Sequence, residues 1–80
     1  MLTNYICAAM RHARYDVLQE NHTYYGSIPG FQGVWANAST LEECREELQE
    51  VLEDWILLAF RKGHLLPIID GIDLNVKDVA

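Results

Sequence analysis

One stretch of this 80-residue chain restricts its possible folds more than any other: a long amphipathic helix predicted over Leu41–Lys62. The Thr40 hydroxyl can accept the Glu43 backbone N–H while the Glu43 carboxylate reaches back, a capping box. Ser39 with Glu42 offers the same pairing one residue earlier. Glu42 and Glu43 sit at the positive end of the helix dipole, and Arg61 and Lys62 at the negative end. Gly63 can take the left-handed conformation that ends a helix, and Pro67 follows shortly after. Apolar residues recur with helical period at Leu41, Cys44, Leu48, Val51, Leu52, Trp55, Ile56, Ala59 and Phe60. The opposite face carries Glu42, Glu43, Glu46, Glu47, Glu50, Glu53 and Asp54. Such a helix is about 33 Å long, and the rest of the chain must cover its apolar stripe.

The preceding residues supply a sheet. Ala13–Glu20 reads as a first strand, with Tyr15 and Val17 on one side and Arg14, Asp16 and Leu18 on the other. Asn21-His22-Thr23 is a hairpin turn, Thr23–Ile28 a second strand, Pro29-Gly30 a break, and Gly33–Ala38 a third strand. Gly26, Ala36 and Ala38 share a face with Tyr24, Ile28 and Val34. Their small size leaves room for the helix to lie close, with Trp55 expected to fill the remaining volume. Tyr25, Ser27, Trp35 and Asn37 then face away. Two large aromatics on an uncovered face mark a partner or oligomer interface, or else they pack under the N-terminal helix.

That N-terminal helix is predicted within residues 1–12, with Leu2, Tyr5, Ile6, Ala9 and Met10 on its apolar face. It is too short to be stable undocked. After the main helix, residues 65–71 are extended with a turn at Asp70-Gly71, and Ile72–Val76 alternates as a fourth strand. The sequence thus predicts one α+β domain over 1–80 in two layers, β-β-β-α-β behind a short helix. It comprises an N-terminal helix (1–12), a meander (13–38), a main helix (40–63) and a final strand (72–76). A right-handed crossover sets strand four parallel to strand one, giving the order 3-2-1-4, and strand three is an edge open to pairing.

Charge narrows the function. The formal net charge of −6 disfavours direct DNA or RNA binding, which calls for a basic surface. It suits a basic protein partner, or simply solubility. Half of the residues are hydrophobic, rich for so short a chain, which argues for a folded unit completed by self-association. No apolar segment is long enough to span a membrane and no secretory leader is visible, so a cytoplasmic location is expected. Cys7 and Cys44 are then reduced thiols.

Chemistry is sparse. Ser27 and Ser39 lack an activating His and acid in any recognisable motif. Burial would suppress the Cys44 thiolate. Two Cys and three His (His12, His22, His64) show no metal-ligand spacing. Asp16, Asp70 and Asp73 could converge on a divalent cation, but nothing in their spacing requires it. No catalytic, cofactor or metal residue is assigned. The candidate sites are the aromatic sheet face (Tyr25, Ser27, Trp35, Asn37) and an acidic docking face (Glu43, Glu46, Glu47, Glu50, Glu53, Asp54).

The stretch Tyr24–Ala36, YYGSIPGFQGVWA, followed by the capping box and helix, resembles the HicB-like antitoxin family. The pattern is carried by Tyr25, Ile28, Pro29, Gly30, Gly33, Val34, Thr40, Glu43 and Cys44, and the resemblance covers roughly residues 13–76. It implies a partial ribonuclease-H-like fold and an antitoxin role: binding and neutralising a small basic HicA-type mRNA-cleaving toxin. Many relatives carry a C-terminal DNA-binding domain. No helix-turn-helix or ribbon-helix-helix segment follows residue 76 here, so operator binding is not implied. The alternatives are an oligomeric regulatory domain, dimeric or tetrameric, with no toxin, or a metal-dependent nuclease remnant using Asp16 with Asp70 or Asp73.

Overall fold

A computed structural model describes residues 2–75. The elements run α1 (Leu2–Arg11), β1 (Arg14–Leu18), β2 (Thr23–Ser27), β3 (Trp35–Ala38) and α2 (Leu41–Lys62). The ends of α2 follow its capping chemistry. Thr40 is extended, at φ −126° and ψ 157°, and its hydroxyl accepts the Glu43 N–H at 3.1 Å. At the other end Gly63 turns left-handed at φ 67°. His64 N–H then donates to Ala59 O at 2.9 Å and Gly63 N–H to Phe60 O at 3.3 Å, the paired bonds of a Schellman end.

The sheet is an antiparallel meander in the order β1-β2-β3. Its register pairs Asp16 with Tyr25 and Tyr25 with Asn37, and Arg14 with Ser27 and Ser27 with Trp35. One face therefore carries Tyr15, Tyr24, Gly26, Ala36 and Ala38. Against it α2 buries Cys44, Leu48, Leu52, Ile56 and Ala59. The approach is closest at Gly26, where a built Cβ would lie 3.0 Å from the Tyr15 ring and 3.1 Å from Cys44 Sγ. The Cys44 thiol donates to Ala36 O at 3.7 Å. The space over the small residues is thus taken by Cys44, not by Trp55. Trp55 lies eleven residues along, about 16 Å down the helix, and packs on Phe31 with ring centres 5.2 Å apart.

Phe31 extends the core beyond the sheet. The 28–34 loop folds inward through Phe31 N–H to Ile28 O (3.1 Å) and Val34 N–H to Phe31 O (3.2 Å). Gly30 and Gly33 supply the positive φ values, 87° and 89°. Phe31 is buried and meets the Tyr5 ring edge-on at 6.1 Å. On α1 the buried face is Tyr5, Ala8 and Ala9, rotated from the predicted one. Ile6 and Met10 are half-buried and Leu2 is exposed. The rotation follows from docking: Tyr5 turns its ring to Phe31 and donates its hydroxyl to Pro67 O at 2.6 Å.

The predicted fourth strand is corrected over its described part. Residues 72–75 do not join the sheet, and Val76 lies outside the described residues. Instead the chain folds back on itself. Asp70 and Gly71 both have positive φ, 48° and 77°, and Ile69 and Ile72 exchange backbone hydrogen bonds of 3.2 and 2.8 Å. This is a two-residue hairpin turn of the kind Asp-Gly favours. Asn75 closes its base, accepting the Leu66 N–H at 2.6 Å and donating to Leu66 O at 3.0 Å. Local closure replaces the long crossover, so the described residues form β1-β2-β3 and not the order 3-2-1-4.

The close approach at Gly26 gives a direct expectation. Gly26→Ala overpacks the contact between sheet and helix and lowers stability by about 1–3 kcal/mol, read by urea unfolding. Gly26→Ala with Cys44→Ala loses less than the sum of the two single changes. Strict additivity would contradict the contact.

Candidate functional site

The outward sheet face is an aromatic patch set by the register. Tyr25 and Trp35 are diagonal neighbours on β2 and β3, close enough for large rings to touch. Their rings stack at 5.8 Å with planes 20° apart. Trp35 remains 53% exposed. Ser27 lies directly across from Trp35, and Asn37 across from Tyr25. Asn37 Nδ2 donates to Tyr24 O at 2.8 Å and to Thr23 Oγ1 at 2.9 Å, which holds the side chain toward the hairpin. On β1, Arg14, Asp16 and Leu18 flank the patch. Tyr5 and Ala9 of α1 join the core with Ile28, Phe31 and Leu52, so α1 does not cover Tyr25 and Trp35.

The second candidate face lies on α2. Glu42, Glu43, Glu46, Glu47, Glu50, Glu53 and Asp54 are all exposed. Among the described residues none of these seven forms an ion pair. Gln49 Nε2 donates to Glu53 Oε2 at 3.4 Å. Carboxylates four residues apart, as at 42 and 46, 46 and 50, or 50 and 54, repel by about 0.2–0.5 kcal/mol per pair. The helix tolerates this because its buried stripe holds it in place.

Two further features escape a reading of the sequence. The first is an apolar groove of about 280 Å³ between α1 and α2, lined by Leu2, Ile6, Glu53, Ile56, Leu57 and Phe60. Its signal is the run Trp55–Phe60, apolar all round and so too wide for a single buried stripe. The second is a clamp between the end of α1 and the 66–75 hairpin. Asp70 Oδ1 lies 2.8 Å from His12 Nε2, and Asp70 Oδ2 lies 3.6 Å from Arg11. The His12 hydrogen bond holds the Asp70 carboxyl below the usual carboxylate range, opposed by desolvation and helped by the charges of His12 and Arg11.

Three further groups are shifted by burial. Burial raises the Cys44 thiol above its ordinary value, with nearby Glu47 adding to the effect and a backbone hydrogen bond from Gly26 opposing it. Burial likewise raises the Tyr5 and Tyr15 phenols, with Asp73 adding at Tyr5 and Arg45 opposing at Tyr15. Asp16 lies on the outer sheet face and Asp70 in the clamp. Asp73 accepts from the Asn75 N–H at 2.9 Å and from its side-chain amide at 2.8 Å. Among the described residues no group of three or more His, Cys, Asp or Glu could hold a metal ion. No helix among them is long and apolar enough to cross a membrane.

Residues 4–67 match the UPF0150-like family, and the match takes in both candidate faces. The chain belongs to the UPF0150-like family. That family is related to the HicB-like antitoxins. Among solved structures, this UPF0150-like chain is similar to TTHA0281 from Thermus thermophilus. The two share 38% identity at a TM-score of 0.88, over 96% of this chain and 95% of that one. No curated protein matches it.

The clamp is testable through Asp70. Its lowered pKa means the contribution is fully present above the unfolded value, about 3.9, and is lost as the pH falls through the folded value. His12→Ala should raise the Asp70 pKa toward the ordinary range, read by carbon NMR of its carboxyl. An unchanged Asp70 titration would show that His12 is not its partner.

Proposed function

We propose that this chain is an antitoxin-type protein-binding module that neutralises a small basic HicA-type mRNA-cleaving toxin. The observation that carries the reading is the row of seven exposed carboxylates on α2 with no ion pair among the described residues, on a chain of a family related to HicB-like antitoxins. A helix that accepts repulsion within its own charge row gains when a cationic surface meets it. Such complementarity also speeds encounter, which a neutraliser needs. In this reading the chain acts in the cytoplasm, performs no catalysis and contacts no nucleic acid directly. It blocks the toxin by occupying the basic surface with which the toxin would grip RNA.

A second reading is favoured by one specific observation, the uncovered Tyr25–Trp35 stack. Outside the aromatics that face carries one acid, Asp16, and one base, Arg14. It is therefore near neutral on a chain of net charge −6, and two copies can meet there without the repulsion that the α2 face would impose. A homo-oligomer, dimer or tetramer, built through this face is compatible with the antitoxin role and also stands without it.

Co-purification with a small basic protein encoded beside this chain tests the first reading. A stable complex that blocks RNA cleavage is expected; the absence of a complex overturns the reading. Glu46→Lys with Glu50→Lys should weaken the complex by about tenfold or more, ~1.4 kcal/mol. The same pair of changes turns the 42/46 and 50/54 pairs from like to opposite charge and leaves only 46/50 of the three like-charged, so helix stability should not fall and unchanged thermal unfolding separates lost binding from misfolding. For the second reading, Trp35→Glu should convert the oligomer to monomer in sedimentation at micromolar concentration, and a wild-type monomer under those conditions would remove it.

A further inference from the structure

We propose that the groove between α1 and α2 is the docking site for a cationic amphipathic helix of a protein partner. This inference rests on the basic-partner reading and adds where that partner buries its apolar residues. Leu2 and Ile6 form one wall, Leu57 and Phe60 the other, and Ile56 the floor. Leu57 is 57% exposed, Leu2 49% and Phe60 41%. On α2 the lining residues 53, 56, 57 and 60 follow the spacing i, i+3, i+4, i+7. Ile56 belongs to the buried stripe, Leu57 and Phe60 widen it on the exposed side, and Glu53 heads the row; a concave seam of this kind accepts the anchors of an incoming helix.

Electrostatics selects the occupant. Glu53 lies in the groove lining itself, and it also lines an adjoining hollow of about 300 Å³ with Glu46, Gln49 and Glu50. The opposite wall is neutral, because α1 carries no charged side chain before Arg11. The apolar floor is therefore flanked by carboxylates along the α2 side. A second copy of this chain docked here would bring its own Glu53 and Glu50 against these, like charges beside an apolar seam where repulsion is least screened. A helix with Lys or Arg beside its apolar stripe meets the same groove with opposite charge.

The charge beside the seam changes along its length. Farther along it, Arg11 and Arg45 line the next hollow with Ile6, Cys7, Met10 and Gln49. Cationic side chains of the partner belong beside Glu53, midway along the seam, and are disfavoured near Arg45 at one end and near Arg61 and Lys62 at the other.

The test uses the full chain, labelled for amide NMR, and two synthetic peptides of about 18 residues, long enough to form helix. One carries Leu at helical spacing with Lys elsewhere; its twin carries Glu in place of Lys. The expected result is that the Lys peptide shifts resonances of Leu2, Ile6, Leu57 and Phe60, and the Glu peptide shifts none. Leu57→Lys, at a position exposed enough to fold unchanged, should weaken the Lys peptide at least tenfold, while Trp35→Glu should leave it unchanged. Shifts confined to Tyr25 and Trp35, or equal binding of both peptides, overturn the proposal. So does self-association of the chain that Leu57→Lys abolishes, since the occupant is then a second copy. If Glu46→Lys with Glu50→Lys weakens the Lys peptide but Leu57→Lys does not, the groove is overturned while the basic-partner reading stands.

Discussion

The fold depends on how closely α2 can lie on the sheet. Gly26 has no side chain, Ala36 and Ala38 have one carbon each, and Cys44 enters the space they leave, with its thiol directed at the Ala36 carbonyl. From that contact the helix runs the length of the core, placing Leu48, Leu52, Ile56 and Ala59 on the sheet and on the loop that follows β2. Everything on the far sides of these two layers is then free for other uses. The outward sheet face cannot reach α2, and the acidic side of α2 cannot reach the sheet.

Much of this was legible in the residues because the signals are local. The capping box at Thr40 and the glycine at 63 set both ends of α2, and the alternation of β1 to β3 assigned Tyr25 and Trp35 outward. Where the reading departed from the structure, competing interactions decided. Trp55 looked like the residue to fill the space above the small side chains, but helix geometry carries it away to Phe31. Phe31 itself sits in a turn segment, and only the inward fold of the 28–34 loop reveals it as a core residue. The alternating pattern at 72–76 suggested a strand in the sheet, yet Asp70-Gly71 closes a tight turn first and ties Ile72 to Ile69.

The candidate sites were partly legible for the same reason. Charge concentrated on one helix face is visible in a helical wheel, and so is an aromatic pair at alternating strand positions. The groove is not, because Leu2 and Ile6 are distant in sequence from Leu57 and Phe60, and the α1 face that turns inward is set by Tyr5 reaching Phe31 and Pro67. The His12–Asp70 clamp joins residues 58 apart in sequence and belongs equally to tertiary structure. The outcome is a chain with surfaces of distinct chemistry: an acidic helix face continuous with an apolar groove, and a near-neutral aromatic sheet face.

In the proposed role, the acidic side of α2 is the surface that meets a basic protein partner. Carboxylate footprinting tests it most directly, with the chain labelled by carbodiimide and glycine ethyl ester, alone and in complex with the small basic protein encoded beside it, and read by mass spectrometry. Glu46, Glu50 and Glu53 are expected to be protected in the complex while Asp16 on the outer sheet face labels as before. Protection of Asp16 with unchanged labelling of the α2 glutamates would contradict it.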